Sequence, residues 1–228
     1  GLAYGICPEK KFALIYNGIP LEKFRKQVDE AAMRQTLGLA ADSKLVGMIA
    51  RLDKQKNPLD FIRAAALVVK EYDNVQFLIA GHGVLRSDCE ALIQELHLQE
   101  HFFLLGFRSD IDKIMPILDI TVMSSLWEGL PVAFQEAMSA GKPIVANDVD
   151  GVSDVVIDGE TGFLVQPHHP EQMAARLLQL LNDSNLCTKM GAIAMQRSEQ
   201  FSDKQMLQNM DELYQSLCKK ARILSRRS

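Results

Sequence analysis

A doubly wound, Rossmann-like α/β sandwich on a parallel sheet is the fold this sequence predicts, and three observations carry it. Short runs such as "NVQFLIAG" are continuously apolar and rich in β-branched and aromatic residues, the habit of strands buried on both faces of a parallel sheet. Those runs alternate with helical patterns almost throughout. After Pro170 the alternation stops and the chain turns all-helical.

The expected strands are 12–16, 44–50, 75–80, 102–104, 120–123, 143–146 and 162–165. The helices between them have readable ends. Asn57 and Pro58 supply an N-cap and a first-turn proline before "LDFIRAAALVVKEY". Ser109 is placed to cap "DIDKIM", and Gly141 ends a helix that opens at Pro131. Three further helices are expected over 171–182, 185–199 and 203–225. No internal repeat, low-complexity tract or linker interrupts the pattern. Residues 1–199 therefore read as one Rossmann-like domain and 200–228 as a helical tail.

At 228 residues and 47% apolar composition, the chain has enough material for a substantial core. A net charge of −4 and a pI of about 5.8 give no support to nucleic-acid binding or to adhesion to an anionic membrane. The closing basic cluster (Lys219, Lys220, Arg222, Arg226, Arg227) suits either a solvated helix end complementing the macrodipole or a weak contact with a membrane surface or partner. Cys7, Cys89, Cys187 and Cys218 are scattered, without CxxC or metal spacing, as free thiols of a reducing cytoplasm are. No apolar run reaches the roughly 18 residues that span a bilayer, and no signal-peptide layout opens the chain. The abrupt opening "GLAYGICPEKKFALIYNGIP" reads as a cut just before a strand, so a fragment of a larger protein is expected.

In such folds ligands bind outside the carboxyl ends of the strands, and four strand ends here carry unusual chemistry. In "GMIARLDKQKN", Arg51 and Lys56 put a planar fork and a point charge at one strand end, suited to a multi-oxygen anion, although an exposed basic loop is the plainer account. In "LIAGHGVLRSD", Gly81 and Gly83 flank His82 where missing side chains let a phosphate approach the amides. This GxG lacks a third glycine and a downstream acid, so it is a weak signal, and His82 reads as a turn residue. In "FLLGFRSDID", Gly106, Phe107 and Arg108 follow a strand and can offer backbone groups to a planar base. The fourth is "SSLWEGLPVAFQEAM". Ser125 and its neighbours form a loop, Gly129 permits close approach, and the helix behind it presents free N–H groups to an anion. Glu128 and Glu136 flank that helix end as acceptors for hydroxyl pairs. An anion site between two diol acceptors describes a sugar nucleotide. The competing pattern "DVD" at Asp148 and Asp150 matches a metal-binding DxD, but "DID" at Asp110 and Asp112 matches as well, so the pattern is cheap. His168 and His169 read as loop residues.

Taken together, "IYNGIP", "ARLDKQKN", "IAGHG", "LGFRSD" and "SSLWEGLPVAFQEAMSAGKPIVANDVDGVSDVVIDGETGFLV" resemble, in order, the C-terminal donor-binding domain of family 4 retaining glycosyltransferases of the GT-B fold. The likeness runs from about Phe12 to Glu199, and the E-x7-E of Glu128 and Glu136 is its most specific part. The resemblance implies that Arg51 and Lys56 are the catalytic pair, holding the donor diphosphate and stabilising the leaving phosphate. It implies that Glu128 binds the donor sugar, Glu136 the ribose, Gly129 and Leu130 offer amides, and Phe107 and Arg108 lie by the base. It places Gly81, Gly83 and Ser125 among the donor contacts. The donor is expected to be UDP- or GDP-linked, with no metal required. A glycan or lipid-linked acceptor would be bound by an N-terminal domain absent from this chain, so the isolated domain is expected to bind donor weakly and transfer nothing. The expected setting is bacterial surface-polysaccharide or glycolipid assembly, in the cytoplasm or peripherally at the inner face of the membrane. Asn57 after Lys56, "GHGV", Asp150 and Asp154 depart from the family's commoner residues. Two alternatives stand beside this reading: a nucleotide-sugar epimerase of similar fold, and a nucleotide-binding module without turnover.

Overall fold

The computed structural model describes residues 12–225, with side chains described as far as Lys219. Its centre is a six-stranded, wholly parallel sheet of β1 (Lys44–Ile49), β2 (Val75–Ala80), β3 (Phe102–Gly106), β4 (Ile120–Met123), β5 (Ile144–Asn147) and β6 (Gly162–Val165). The spatial order is β3-β2-β1-β4-β5-β6. That order reverses between β1 and β4, so the crevice beyond their carboxyl ends is the topological switch point. Helices α1 (Glu30–Leu37), α2 (Pro58–Val69), α3 (Arg86–Glu95), α4 (Ile111–Ile114), α5 (Val132–Ser139), α6 (Pro170–Asn182), α7 (Ser184–Arg197) and α8 (Asp203–Ser225) complete the chain. The α/β class, the parallel sheet and the helical tail are as the alternation predicts.

The central strands are buried nearly end to end, which is why they read as unbroken apolar runs. Helix α2 packs against α3 and α6, and α5 packs against α7. Phe61 from α2 meets Phe77 and Phe102 edge-on at 5.9 and 5.2 Å, while the two strand rings stack at 5.9 Å. This aromatic cluster locks β2 and β3 under the helical layer.

Several local expectations differ from the structure. Residues 12–16 form no strand; instead Tyr16 stands edge-on to Phe201 at 5.3 Å, and Ile19 makes a single parallel bridge to Ser202. Ile19 N–H donates to the Phe201 carbonyl (2.9 Å) and Asp203 N–H donates to the Ile19 carbonyl (3.1 Å). Of that run, Tyr16 packs against the start of the tail, whereas Phe12 and Leu14 are exposed. Gly18 makes the clasp possible, because a Cβ there would lie 2.6 Å from the Ser202 carbonyl oxygen.

Helix α1 had no counterpart among the expected elements, although Asp29 caps it by accepting from Ala32 N–H (3.0 Å) and Gly38 closes it at φ 70. Its polar composition hides the narrow buried stripe of Met33 and Leu37. Asn57 precedes α2 in a left-handed conformation, φ 47, and its amide donates to Asp60 (2.5 Å) instead of accepting from the backbone. Ser109 does not cap α4; the adjacent Arg108 and Asp110 pair with each other. Pro131 is the residue before α5, one position outside the helix it was expected to open. Cys89, Cys187 and Cys218 are free thiols, and burial pushes Cys89 up to about 11. Cys7, Arg226 and Arg227 lie outside the described residues, as do the side chains of Lys220 and Arg222.

Candidate functional site

The loops leaving β1 and β4 meet at the switch point and are fastened to each other. Ser124, fully buried at the end of β4, donates from its hydroxyl toward the carbonyls of Lys56 and Asn57, both at 2.9 Å. Leu126 N–H donates to the Gln55 carbonyl (2.8 Å), and the Gln55 amide donates to the Trp127 carbonyl (3.0 Å). From the β5 end, the buried Asn147 amide donates to the Ser124 and Ser125 carbonyls at 2.8 and 3.2 Å. These backbone acceptors lie in the loops beyond the strands, where the sheet ladder does not reach them.

This lacing brings Lys56 and Glu128 together across 72 positions of sequence, as a direct ion pair between Nζ and Oε1. The Lys56 side chain is 15% exposed and that of Glu128 is 5% exposed. Arg51, two residues past β1 in the same loop as Lys56, is open to solvent. Its Nη2 lies 3.2 Å from both Gln55 Oε1 and Asp53 Oδ2. The cation-and-acid set read from two separate strand ends is therefore one cluster at the switch point.

Behind the cluster, α5 begins at Val132 with no side-chain cap, and Pro131 has no N–H of its own. The Val132 and Ala133 amides are thus free to face an anion, while Phe134 N–H donates to the Pro131 carbonyl (3.1 Å). Gly129 precedes them in open space, since a Cβ there would meet nothing within 4 Å. Leu130 is half-buried and lines a shallow cavity of about 250 Å³ with Tyr16, Asn17, Gly129 and Asp154. The Ser125 hydroxyl is buried beside this loop and has no hydrogen-bond partner, although its carbonyl is satisfied. Glu136 lies on α5, partly buried, and no neighbouring charge acts on it. Burial alone pushes its pKa up to about 7.

The remaining expected contacts divide. At Gly81 and Gly83 the missing side chains make room for the chain itself. A Cβ on Gly81 (φ 155) would lie 1.9 Å from the Ala50 carbonyl oxygen, and one on Gly83 would lie 2.3 Å from that of Leu52. Leu52 N–H also donates to the His82 carbonyl (3.1 Å), so this turn props the loop carrying Arg51. Phe107 is 75% exposed at the end of β3, with the His82 ring edge-on at 6.3 Å. Arg108 is not a free guanidinium: it donates to both oxygens of Asp110 (2.9 and 2.7 Å), and this pairing holds the Asp110 carboxyl below the usual carboxylate range. His168 approaches Asp60 at 3.4 Å and His169 approaches Glu171 at 2.6 Å, both in the loop ahead of α6.

The reading of residue types at strand ends missed Gln55, Ser124, Asn147 and Gly151. All four stood inside quoted motifs, but their roles depend on which loops become neighbours. Gly151 adopts φ 81, and a Cβ there would lie 1.8 Å from the Gly129 carbonyl oxygen. The loop after β5 therefore braces the Glu128–Gly129 backbone. Gly151→Ala is expected to cost about 2 kcal/mol through left-handed strain and displacement of that backbone. Chemical denaturation measures it; an unchanged midpoint would show that the contact gives way freely.

The family model described as "Glycosyl transferases group 1" matches residues 29–197. A UDP-Gal:alpha-D-GlcNAc-diphosphoundecaprenol alpha-1,3-galactosyltransferase of Escherichia coli is 34% identical over 181 residues, covering 77% of this chain and 46% of that protein. A Staphylococcus aureus TarM mutant, solved with Fondaparinux, alpha-GlcNAc-glycerol and UDP, superposes with a TM-score of 0.72 at 28% identity, over 89% of this chain and 38% of that one. Anabaena HepE, solved with UDP and glucose, superposes with a TM-score of 0.86 over 94% of this chain and 59% of that one, and at 24% identity it speaks for the fold alone. The chain spans about half the length of the curated relatives it matches.

Proposed function

The chain belongs to the group 1 glycosyltransferases, and from that premise we propose that it is the donor-nucleotide-sugar domain of a retaining, metal-independent hexosyltransferase. The observation that carries this reading is the convergence of Lys56, Glu128, Arg51 and the free start of α5 on one crevice at the β1–β4 switch point.

In this assignment the diphosphate of a UDP- or GDP-sugar lies over the first amides of α5. Lys56 turns from Glu128 toward the phosphates, and Arg51 swings its exposed guanidinium onto them. Both cations stabilise the charge that grows on the leaving phosphate, an interaction strongest in the transition state. Release from Lys56 frees the Glu128 carboxylate to accept from sugar hydroxyls, while Glu136 accepts from the ribose pair. The exposed Phe107 ring and the backbone beside it border the base. Neither glutamate needs to move a proton; each orients the donor. Gly81, Gly83 and Ser125 support this set from behind.

Two lysine- and arginine-borne charges and a helix end supply what a divalent ion supplies elsewhere. Among the described residues no three His, Cys, Asp or Glu gather as a ligand set, and Asp148 and Asp150 stand without a third acid. The acceptor, by this proposal a glycan or lipid-linked sugar, is bound by chain beyond this domain. The cytoplasmic face of a membrane is the setting that such acceptors favour. No helix among the described residues is long and apolar enough to cross a membrane.

Binding of UDP or GDP without magnesium tests the proposal directly. In a thermal-shift titration with EDTA present, nucleotide at 100-fold over its Kd is expected to add about 2.7 kcal/mol of stability. Loss of the shift on adding EDTA, with recovery by magnesium, would contradict the metal-free assignment.

A further inference from the structure

We propose that Gln55 is a positioning residue that couples the phosphate-facing Arg51 to the sugar-facing loop at Trp127 and Glu128. The inference rests on the functional reading above for the names of the two ends, but the coupling itself is geometric.

Gln55 is half-buried in the loop after β1 and engages three of its polar groups here. Its side-chain carbonyl accepts from Arg51 Nη2 (3.2 Å) and its side-chain amide donates to the Trp127 carbonyl (3.0 Å). Its main-chain carbonyl accepts from Leu126 N–H (2.8 Å). One residue thus touches the cation on one side of the crevice and two consecutive residues of the opposite loop. The next residues along each loop, Lys56 and Glu128, are the ion pair. A planar amide with one acceptor and one donor end is the chemistry this span requires, because an acid would repel the Trp127 carbonyl and a lysine would repel Arg51. Arg51 carries a long, solvent-open side chain with many rotamers. Fixing its guanidinium in advance lowers the ordering cost of meeting a diphosphate.

The chain holds a single tryptophan, Trp127, and that residue is 52% exposed. The reporter therefore sits on the coupled loop itself. In the ligand-free protein, Gln55→Met, close to isosteric but lacking the amide, is expected to raise acrylamide quenching of Trp127 by about half, since the loop loses its side-chain tether at this end and keeps only the main-chain one. Gln55→Glu keeps the acceptor for Arg51 and loses the donor to Trp127, so its quenching should rise to a similar extent. With UDP as probe, Gln55→Met should bind about tenfold more weakly while uridine binding is unchanged. A role in packing alone predicts wild-type quenching in Gln55→Met, and that result overturns the proposal. Equal losses for UDP and uridine also overturn it, because the link to Arg51 would then be absent. If the wild-type protein binds neither UDP nor GDP, the functional reading falls, while the quenching series still decides the hold of Gln55 on the Trp127 loop.

Discussion

Glu136→Gln is expected to make the ligand-free protein more stable at pH 8, by about 3 kcal/mol, and no more stable at pH 4. Burial raises the Glu136 carboxyl from its ordinary value of 4.5 to about 7. Between those values the folded state holds a proton that the unfolded chain has released. Stability therefore falls as pH rises from about 4.5 to about 7, and stays at its lowered level above that. Glutamine keeps the shape without the charge, so it removes this loss where the acid is ionised and changes little where the acid is protonated. Urea unfolding of the two proteins at pH 4, 6 and 8 measures the effect; parallel curves would show that the carboxylate is solvated. The gain comes with lost recognition. By the proposed assignment, Glu136→Gln and Glu136→Ala weaken ribonucleotides more than 2′-deoxyribonucleotides, and wild-type binding strengthens as pH rises through about 7. A variant that keeps its preference for ribose would reject the contact.

Lys56→Ala is expected to produce the opposite result on stability and a second loss on binding. It strands Glu128, whose side chain is 5% exposed, as an unpaired acid in a poorly hydrated place. Removing one partner of a buried pair costs 3–5 kcal/mol, and the partial exposure of Lys56 puts this case near the low end, at about 3 kcal/mol. Adding Glu128→Gln should restore most of that loss, because the neutral amide tolerates the site better than a lone charge. On the binding side, UDP should weaken far more than uridine. Equal losses for both would contradict a phosphate role, and a double variant no more stable than Lys56→Ala would contradict the pairing.

These expectations draw on features of unequal legibility. The parallel sheet could be read because β1, β2, β4 and β5 are buried on both faces and so appear as unbroken apolar runs. The run at 12–16 has the same look, but Phe12 and Leu14 stay exposed and only Tyr16 finds a partner, Phe201, 185 positions further on (201 − 16), which no local pattern announces. Helix α1 was hidden by its own polarity, despite Asp29 and Gly38 at its ends. At the site, residue types and spacing pointed to Arg51, Lys56, Glu128 and Glu136 as holders of an anion and hydroxyl pairs. What spacing does not contain is that Lys56 and Glu128 bond each other before any ligand arrives, or that Gln55 spans the crevice. Both depend on the order of strands in the sheet, which sets the loops after β1 and β4 side by side. Gly81 and Gly83 illustrate the converse: a pattern suggestive of a phosphate loop is already required by backbone crowding at Ala50 and Leu52.

The clasp between Ile19 and the residues around Ser202 has a mechanical consequence. The chain enters and leaves the sheet-bearing unit through one gate, held by the hydrogen bonds to Phe201 and Asp203. Tension applied along residues 12–17 and α8 is borne first by that gate, while the six strands lie in the slack loop between its two sides. Pulling on the ends should therefore give a small early rupture at the clasp, and the crevice with its laced loops carries load only after the gate has opened.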